Sequence, residues 1–160
     1  MKNPSLFLLL IATMLMACGT TKSSTQKTEM IPFTQIYADA YGNADGQGHV
    51  LVSSADEWDE AWTSLYTLQD PPPPMPEVDF SKDQVLIYRL GSRPSGGYGA
   101  EVASLTIEGN TLLVHILEKQ PGAGCITTMA ITNPFVVISL PKKDYDTVTV
   151  DVKIEKTPCR

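Results

Sequence analysis

Three cysteines, two histidines and one serine followed by two glycines are the residues of this chain whose types could do chemistry. The most telling spacing is Leu15-Met16-Ala17-Cys18, at the end of an apolar run from Leu6 to Met16 broken only by Thr13. Eleven residues are too few to cross a bilayer as a helix, which takes roughly 20, but they suit the h-region of a signal peptide behind Lys2. A small residue directly before a cysteine then reads as a bacterial lipobox. Cleavage after Ala17 would leave Cys18 as a new N-terminus acylated by chains such as palmitate. The alternative is an ordinary secretory signal that happens to end near a cysteine.

With Cys18 under lipid, Cys125 and Cys159 remain. An exported chain meets an oxidising compartment, which permits a disulfide between them. The other outcome is one buried and one unpaired thiol. No CxxC and no Cys/His spacing suggests zinc. His115 falls in the middle of an apolar run, where a partly buried, hydrogen-bonded histidine is the ordinary result, and His49 opens a strand after a glycine-rich loop. Ser95-Gly96-Gly97 lacks the strand-to-helix elbow of a nucleophile, and no GxSxG, HExxH or phosphate-cradling glycine loop occurs. The segment Tyr41 to Gly48 faintly echoes a calcium loop, yet its first and twelfth ligand positions would be Tyr41 and Val52. No catalytic residues, metal or cofactor are therefore expected, and the chain reads as non-enzymatic.

Charge narrows the partners. The chain carries a net charge of −6, and removing residues 1–17 takes away Lys2 and no acid. No basic cluster exists, which argues against nucleic acid and against electrostatic docking on anionic lipid. Membrane attachment would be covalent, through Cys18. Residues 18–30 are mostly Thr, Ser, Lys and Gln and read as a tether. Residues 31–160 are then one globular domain. Gly19 after the acylated cysteine is compatible with outer-membrane sorting, so the expected place is the cell envelope.

The elements that must position these residues are mostly strands. Ile31 to Tyr37 and His49 to Ser53 are short apolar or alternating runs. Ser54-Ala55-Asp56-Glu57 is a capping box, and Trp58, Ala61, Trp62 and Leu65 recur at helical spacing. The helix should end near Leu68, before Pro71-Pro72-Pro73-Pro74, which predicts an extended connector. Val85 to Leu90 is nearly all apolar, as in a buried strand. Glu101 to Ile107 and Thr111 to Leu117 flank a Gly109-Asn110 turn, Phe135 to Leu140 is another run, and Val148 to Ile154 alternates strictly. The fold class expected is α+β: a mainly antiparallel β-sheet or a small, partly closed barrel with one amphipathic helix.

Between these strands lie three loops suited to binding. Gly91 to Gly99 contains Arg93, Pro94, Ser95, Gly96, Gly97 and Tyr98, with Tyr98 as a candidate aromatic anchor. Gln120 to Cys125 contributes Gly122 and Gly124, and Thr132 to Phe135 contributes Pro134 and Phe135. If alternate strands bring them to one edge, they form a rim that could fill a cleft on another protein. The alternative is a set of tight turns with glycine placed for geometry.

Over residues 78 to 143 these motifs resemble a known family. Val78-Asp79-Phe80, Val85-Leu86-Ile87, Leu90-Gly91-Ser92-Arg93-Pro94-Ser95-Gly96-Gly97-Tyr98, the turn before Cys125, and Thr132-Asn133-Pro134-Phe135 together are similar to the PrcB C-terminal domain. That resemblance implies a bacterial lipoprotein acting as an accessory subunit of an extracytoplasmic protease complex. A second resemblance joins Arg93-to-Tyr98, Gly122-Ala123-Gly124 and Asn133-Pro134-Phe135 to the three loops of chagasin-type cysteine protease inhibitors. It implies occlusion of an active-site cleft, although Asn133 stands where that family has Arg.

Overall fold

The computed structural model describes residues 28–43 and 46–158; Cys18, Cys159 and the signal and tether segment up to residue 27 lie outside them. Among the described residues eight strands form two sheets: β1 (Glu29–Ile31), β2 (Thr34–Asp39), β3 (Gln47–Val52), β4 (Asp83–Leu90), β5 (Gly99–Glu108), β6 (Thr111–Pro121), β7 (Phe135–Pro141) and β8 (Thr147–Thr157). One sheet has the order β1-β5-β6-β8 and the other β2-β7-β4-β3. Neither closes, so the architecture is the open-sheet form of the α+β expectation and not the barrel.

The apolar runs of β4 and β7 follow from burial on both faces. Leu86, Tyr88 and Leu90 of β4 and Val136, Ile138 and Leu140 of β7 pack against Val102, Leu105, Ile107, Leu112, Val114 and Ile116 of the opposing sheet. The alternate residues Val85, Ile87, Phe135 and Val137 face the helix α1 (Ala55–Leu65), against Trp58, Trp62 and Leu65. The layers are therefore sheet, sheet and helix. A strand with no wet face needs no polar alternation, which is why these two lack it.

The capping box forms, in shifted detail. Ser54 Oγ accepts from the Glu57 N–H, while Glu57 reaches one residue further back and accepts from the Ser53 N–H at 2.8 Å. The helix stops at Leu65, three residues short of expectation. Tyr66 leaves the spiral so that its hydroxyl can donate to Asp39, and its burial, then its hydrogen bonds to Tyr37 and Asp39, hold it neutral well above the usual range. The proline segment runs along the helix: Trp62 Nε1 donates to the Pro73 carbonyl and Trp58 Nε1 to that of Pro76, both at 3.0 Å. Buried indoles need acceptors, and this segment supplies them.

Other boundaries differ with clear causes. The run expected at 31–37 is two strands: β1 pairs with β5 and β2 with β7, so the chain crosses between sheets at Pro32-Phe33. Because β1 begins at Glu29, the folded region starts before residue 31. A bulge between Val102 and Ser104 keeps Val102, Leu105 and Ile107 on one face despite the odd spacing. The hairpin turn is as expected, with Gly109 at φ +64°. The pairing of β8 with β6 is parallel, because the chain visits the other sheet through β7 before returning. Val148 and Val150 pack on the core, but Val152 and Ile154 stay exposed where β8 outruns the opposing sheet.

Chemical denaturation should rank two substitutions. Trp58→Ala removes a buried indole and should lower stability by ~3–5 kcal/mol. Trp62→Phe keeps an aromatic ring but leaves the Pro73 carbonyl without its donor, and should cost about 1 kcal/mol. An unchanged stability in Trp62→Phe would show that the indole hydrogen bond to Pro73 does not hold the connector.

Candidate functional site

All three loops lie at one pole of the sandwich. Arg93 and Thr132 exchange backbone hydrogen bonds at 2.7 and 3.0 Å, an isolated antiparallel bridge that clips the first loop to the third. Thr132 Oγ1 donates to the Ser95 carbonyl, the Gly96 N–H to that of Thr128, and the Leu90 N–H to that of Pro134. The second loop is tied to the end of β8, with the Gly122 N–H donating to the Thr157 carbonyl at 2.9 Å. A Cβ on Gly122 would also sit 2.9 Å from that oxygen, so the approach requires glycine. Gly91 is required too: its φ is +73° and a Cβ there would meet Gln47 N at 2.7 Å.

The loops differ in what they present. Pro94 and Gly97 are exposed, Ser95, Gly96 and Gly122 partly so, and Gly124 is open. Tyr98 is half-buried and packs on the core, so it anchors the loop to the sandwich. Pro134 and Phe135 are interior. Phe135 stacks with Tyr37 and meets Tyr66 edge-on under the helix, so the third loop holds the rim from beneath, with only Asn133 partly exposed.

Beneath the first loop sits a buried carboxylate. Glu118, on the inner face of β6, is 3% exposed. It accepts from Tyr88 Oη at 2.6 Å, from Gln47 Nε2 at 2.8 Å and, at 3.4 Å, from the Arg93 guanidinium. Arg93 also lies 6.0 Å from the Tyr98 ring centre. Taking a carboxylate out of water costs several kcal/mol unless donors replace the solvent. Three donors from β3, β4 and the first loop do so, and Arg93 is thereby committed to an internal partner.

The remaining chemical groups among the described residues lie apart from this cluster. Thr106 Oγ1, His115 Nε2, His115 Nδ1 and Asp151 Oδ2 form a chain with 3.4 Å steps across β5, β6 and β8. Its order imitates a hydroxyl–imidazole–carboxylate triad, but it lies on the outward face of a sheet with Asp151 three-quarters exposed. Water therefore competes with the His115–Asp151 contact. Ser95 Oγ turns to its neighbour, the Gly96 carbonyl. Among the described residues no three His, Cys, Asp or Glu side chains are placed to share a metal ion. Arg89 faces a groove of about 520 Å³ between α1 and β3, where Glu57 and Glu60 oppose any anion it would attract. Cys125 is disulfide-bonded, and its Sγ lies 3.8 Å from the carbonyl of Thr157, two residues before Cys159.

One stretch carries no mark in the sequence reading. Ile126 and Met129 are fully exposed and Ile131 is 70% exposed, all between the second and third loops. No periodicity flags them. The available signal is charge, since no ionisable acid or base occurs between Lys119 and Lys142.

The polar cluster makes a pH prediction. Burial first, then the Glu118 carboxylate that accepts its proton, pushes the Tyr88 hydroxyl up to about 12 from 10.0. A raised folded value means this stabilisation is complete below pH 10 and is lost as pH climbs towards 12. Thermal melts should therefore show wild type losing stability over that window more steeply than Tyr88→Phe. Parallel curves would contradict a proton held between Tyr88 and Glu118.

The comparisons bear on this pole. No curated protein and no solved structure matches the chain. Residues 85–141 match the family described as PrcB C-terminal. The matched span begins in β4 and ends with β7, so it contains the double-faced strands, Glu118, the three loops and the exposed stretch between them. Through residues 85–141, this chain is similar to the PrcB C-terminal family.

Proposed function

We propose that this protein is an envelope lipoprotein anchored through Cys18, whose loop pole binds a protein partner as an accessory, non-enzymatic subunit of an extracytoplasmic protease complex. The observation that carries the reading is that the family-matched segment supplies all three loops of this pole, clipped to one another and to the end of β8. The family's description supports a protease-associated role. The lipobox supports the anchor, and the acidic domain without a basic cluster supports a covalent attachment over an electrostatic one. The direction of the chain agrees. Glu29 pairs with Ile107 beside the Gly109-Asn110 hairpin, so the chain enters the domain at the pole opposite the loops and an N-terminal tether would leave the loop pole unobstructed.

Binding away from a protease active site is favoured over chagasin-like occlusion. Cleft-filling by three loops needs side chains from all three, and Pro134 and Phe135 are buried. The mature full-length chain should therefore leave papain-type proteases uninhibited at micromolar concentration while co-purifying with an envelope protease. Inhibition would restore the occluding reading. Palmitate labelling and membrane fractionation should both be lost in Cys18→Ser, and labelling that survives would refute the lipobox.

A further inference from the structure

We propose that β8 pairs with β8 of a second copy, antiparallel and centred on Val152, joining two sheets into one across a two-fold axis; the inference is independent of the protease-complex reading. β8, of 11 residues, is the last strand of its sheet. On one side β6 pairs with it from Thr111↔Thr147 to Pro121↔Thr157 without a register shift. On the other side no strand is hydrogen-bonded to it among the described residues, and residues 151–157 are all exposed. Such an edge is a row of unpaired donors and acceptors, which folded proteins blunt with proline, a bulge or an inward-pointing charge. From Thr147 to Glu155 this strand has none of the three; Lys156 alone takes an inner position, at the far end. Acyl chains cannot hydrogen-bond to backbone, so what completes this edge is another strand.

The residues of β8 select which strand. A two-fold axis between antiparallel strands stands perpendicular to the sheet and keeps inner faces with inner faces, so one residue must face its own copy. With Val152 at the axis the whole strand pairs, Thr147 lying opposite Thr157 of the second copy. Asp151 then lies opposite Lys153 of the second copy, twice by symmetry. Moving the axis by one residue sets Asp151 against Asp151 of the second copy, or Lys153 against Lys153 of the second copy. Larger shifts leave the strand ends unpaired. The apolar pattern agrees with the charges. Val152 and Ile154 are 36% and 56% exposed, where β8 outruns the opposing sheet. In this register Val152 meets Val152 of the second copy. Ile154 meets Val150 of the second copy, a residue that packs on the core. The strand is complementary to itself in both charge and apolar contact.

Disulfide trapping tests this in the full-length chain, expressed in its own envelope and run on non-reducing gels beside wild type. Val152→Cys should cross-link to itself at least about tenfold more than Thr149→Cys or Glu155→Cys. Only position 152 faces its own copy, whereas position 149 stands about six residues, or ~20 Å, from its own. Co-expressed Thr149→Cys and Glu155→Cys chains should cross-link to each other. In the Val152→Cys background, Asp151→Lys sets like charges opposite each other twice and should cut trapping at least about tenfold; adding Lys153→Asp should restore it. Asp151 is three-quarters exposed, so these variants should keep the wild-type melting temperature. Equal trapping at 149, 152 and 155 would overturn the register, and no trapping at any of them would overturn the pairing. A charge swap that fails to restore trapping would overturn the role of Asp151 and Lys153. Trapping of Val152→Cys to a different protein would overturn the second copy as occupant and give the edge to a strand of that protein. None of these outcomes bears on the loop pole, so the protein-binding reading above stands or falls separately.

Discussion

The pairing of β4 with β7 is the constraint on which the structure depends. Seven register pairs, from Asp83↔Pro141 to Arg89↔Phe135, place two strands side by side with no face left for water. Each alternation of side chains then serves a different layer. Leu86, Tyr88, Leu90, Val136, Ile138 and Leu140 supply one wall of the sandwich, and Val85, Ile87, Phe135 and Val137 supply the floor under α1. A one-residue slip would exchange the two sets and disrupt both cores at once. The same pair delivers the loops, because β4 ends and β7 begins at the loop pole. The Leu90 N–H donating to Pro134 joins the two exits there.

At that pole the core becomes polar for a reason. The Glu118 cluster joins a residue from each of β3, β4, β6 and the first loop, across both sheets. An apolar filling of equal volume would be as stable or more so, since a buried ion repays its desolvation only when every donor is in place. What the cluster adds is direction. Hydrogen bonds require Arg93 to lie in one place, while apolar packing would tolerate several, and the loop that carries Pro94 to Gly97 inherits that position. The third loop works in a related way from below, holding the rim through the backbone and hydroxyl of Thr132 while Pro134 and Phe135 fill the interior.

Much of this was legible in the residues themselves. The capping box and the Trp58, Trp62, Leu65 stripe located the helix because both are local signals. The apolar runs of β4 and β7 announced buried strands, and Gly109-Asn110 announced its hairpin. What stayed hidden is long-range. Nothing local distinguishes parallel from antiparallel partners for β8, or tells that Val152 and Ile154 outrun the sheet meant to cover them. The break at Pro32-Phe33 was readable as a proline, but its consequence, a change of sheet, depends on strands a hundred residues later. Phe135 looked like a rim aromatic because it follows Asn133-Pro134; only the pairing with Arg89 turns it inward. Ile126, Met129 and Ile131 have neither helical nor strand spacing, so their exposure emerges only when the flanking loops are clipped together.

The account stands on the claim that the loop pole, and not the sheet faces or the hairpin end, is where this protein meets its partner. Hydrogen exchange of the mature chain, alone and in its purified complex, reads this directly. The account predicts added protection across residues 94–99 and 122–131 on binding, with none at the 108–111 hairpin. Protection confined to that hairpin or to the outward face of β5, β6 and β8, with the loops unchanged, would contradict it.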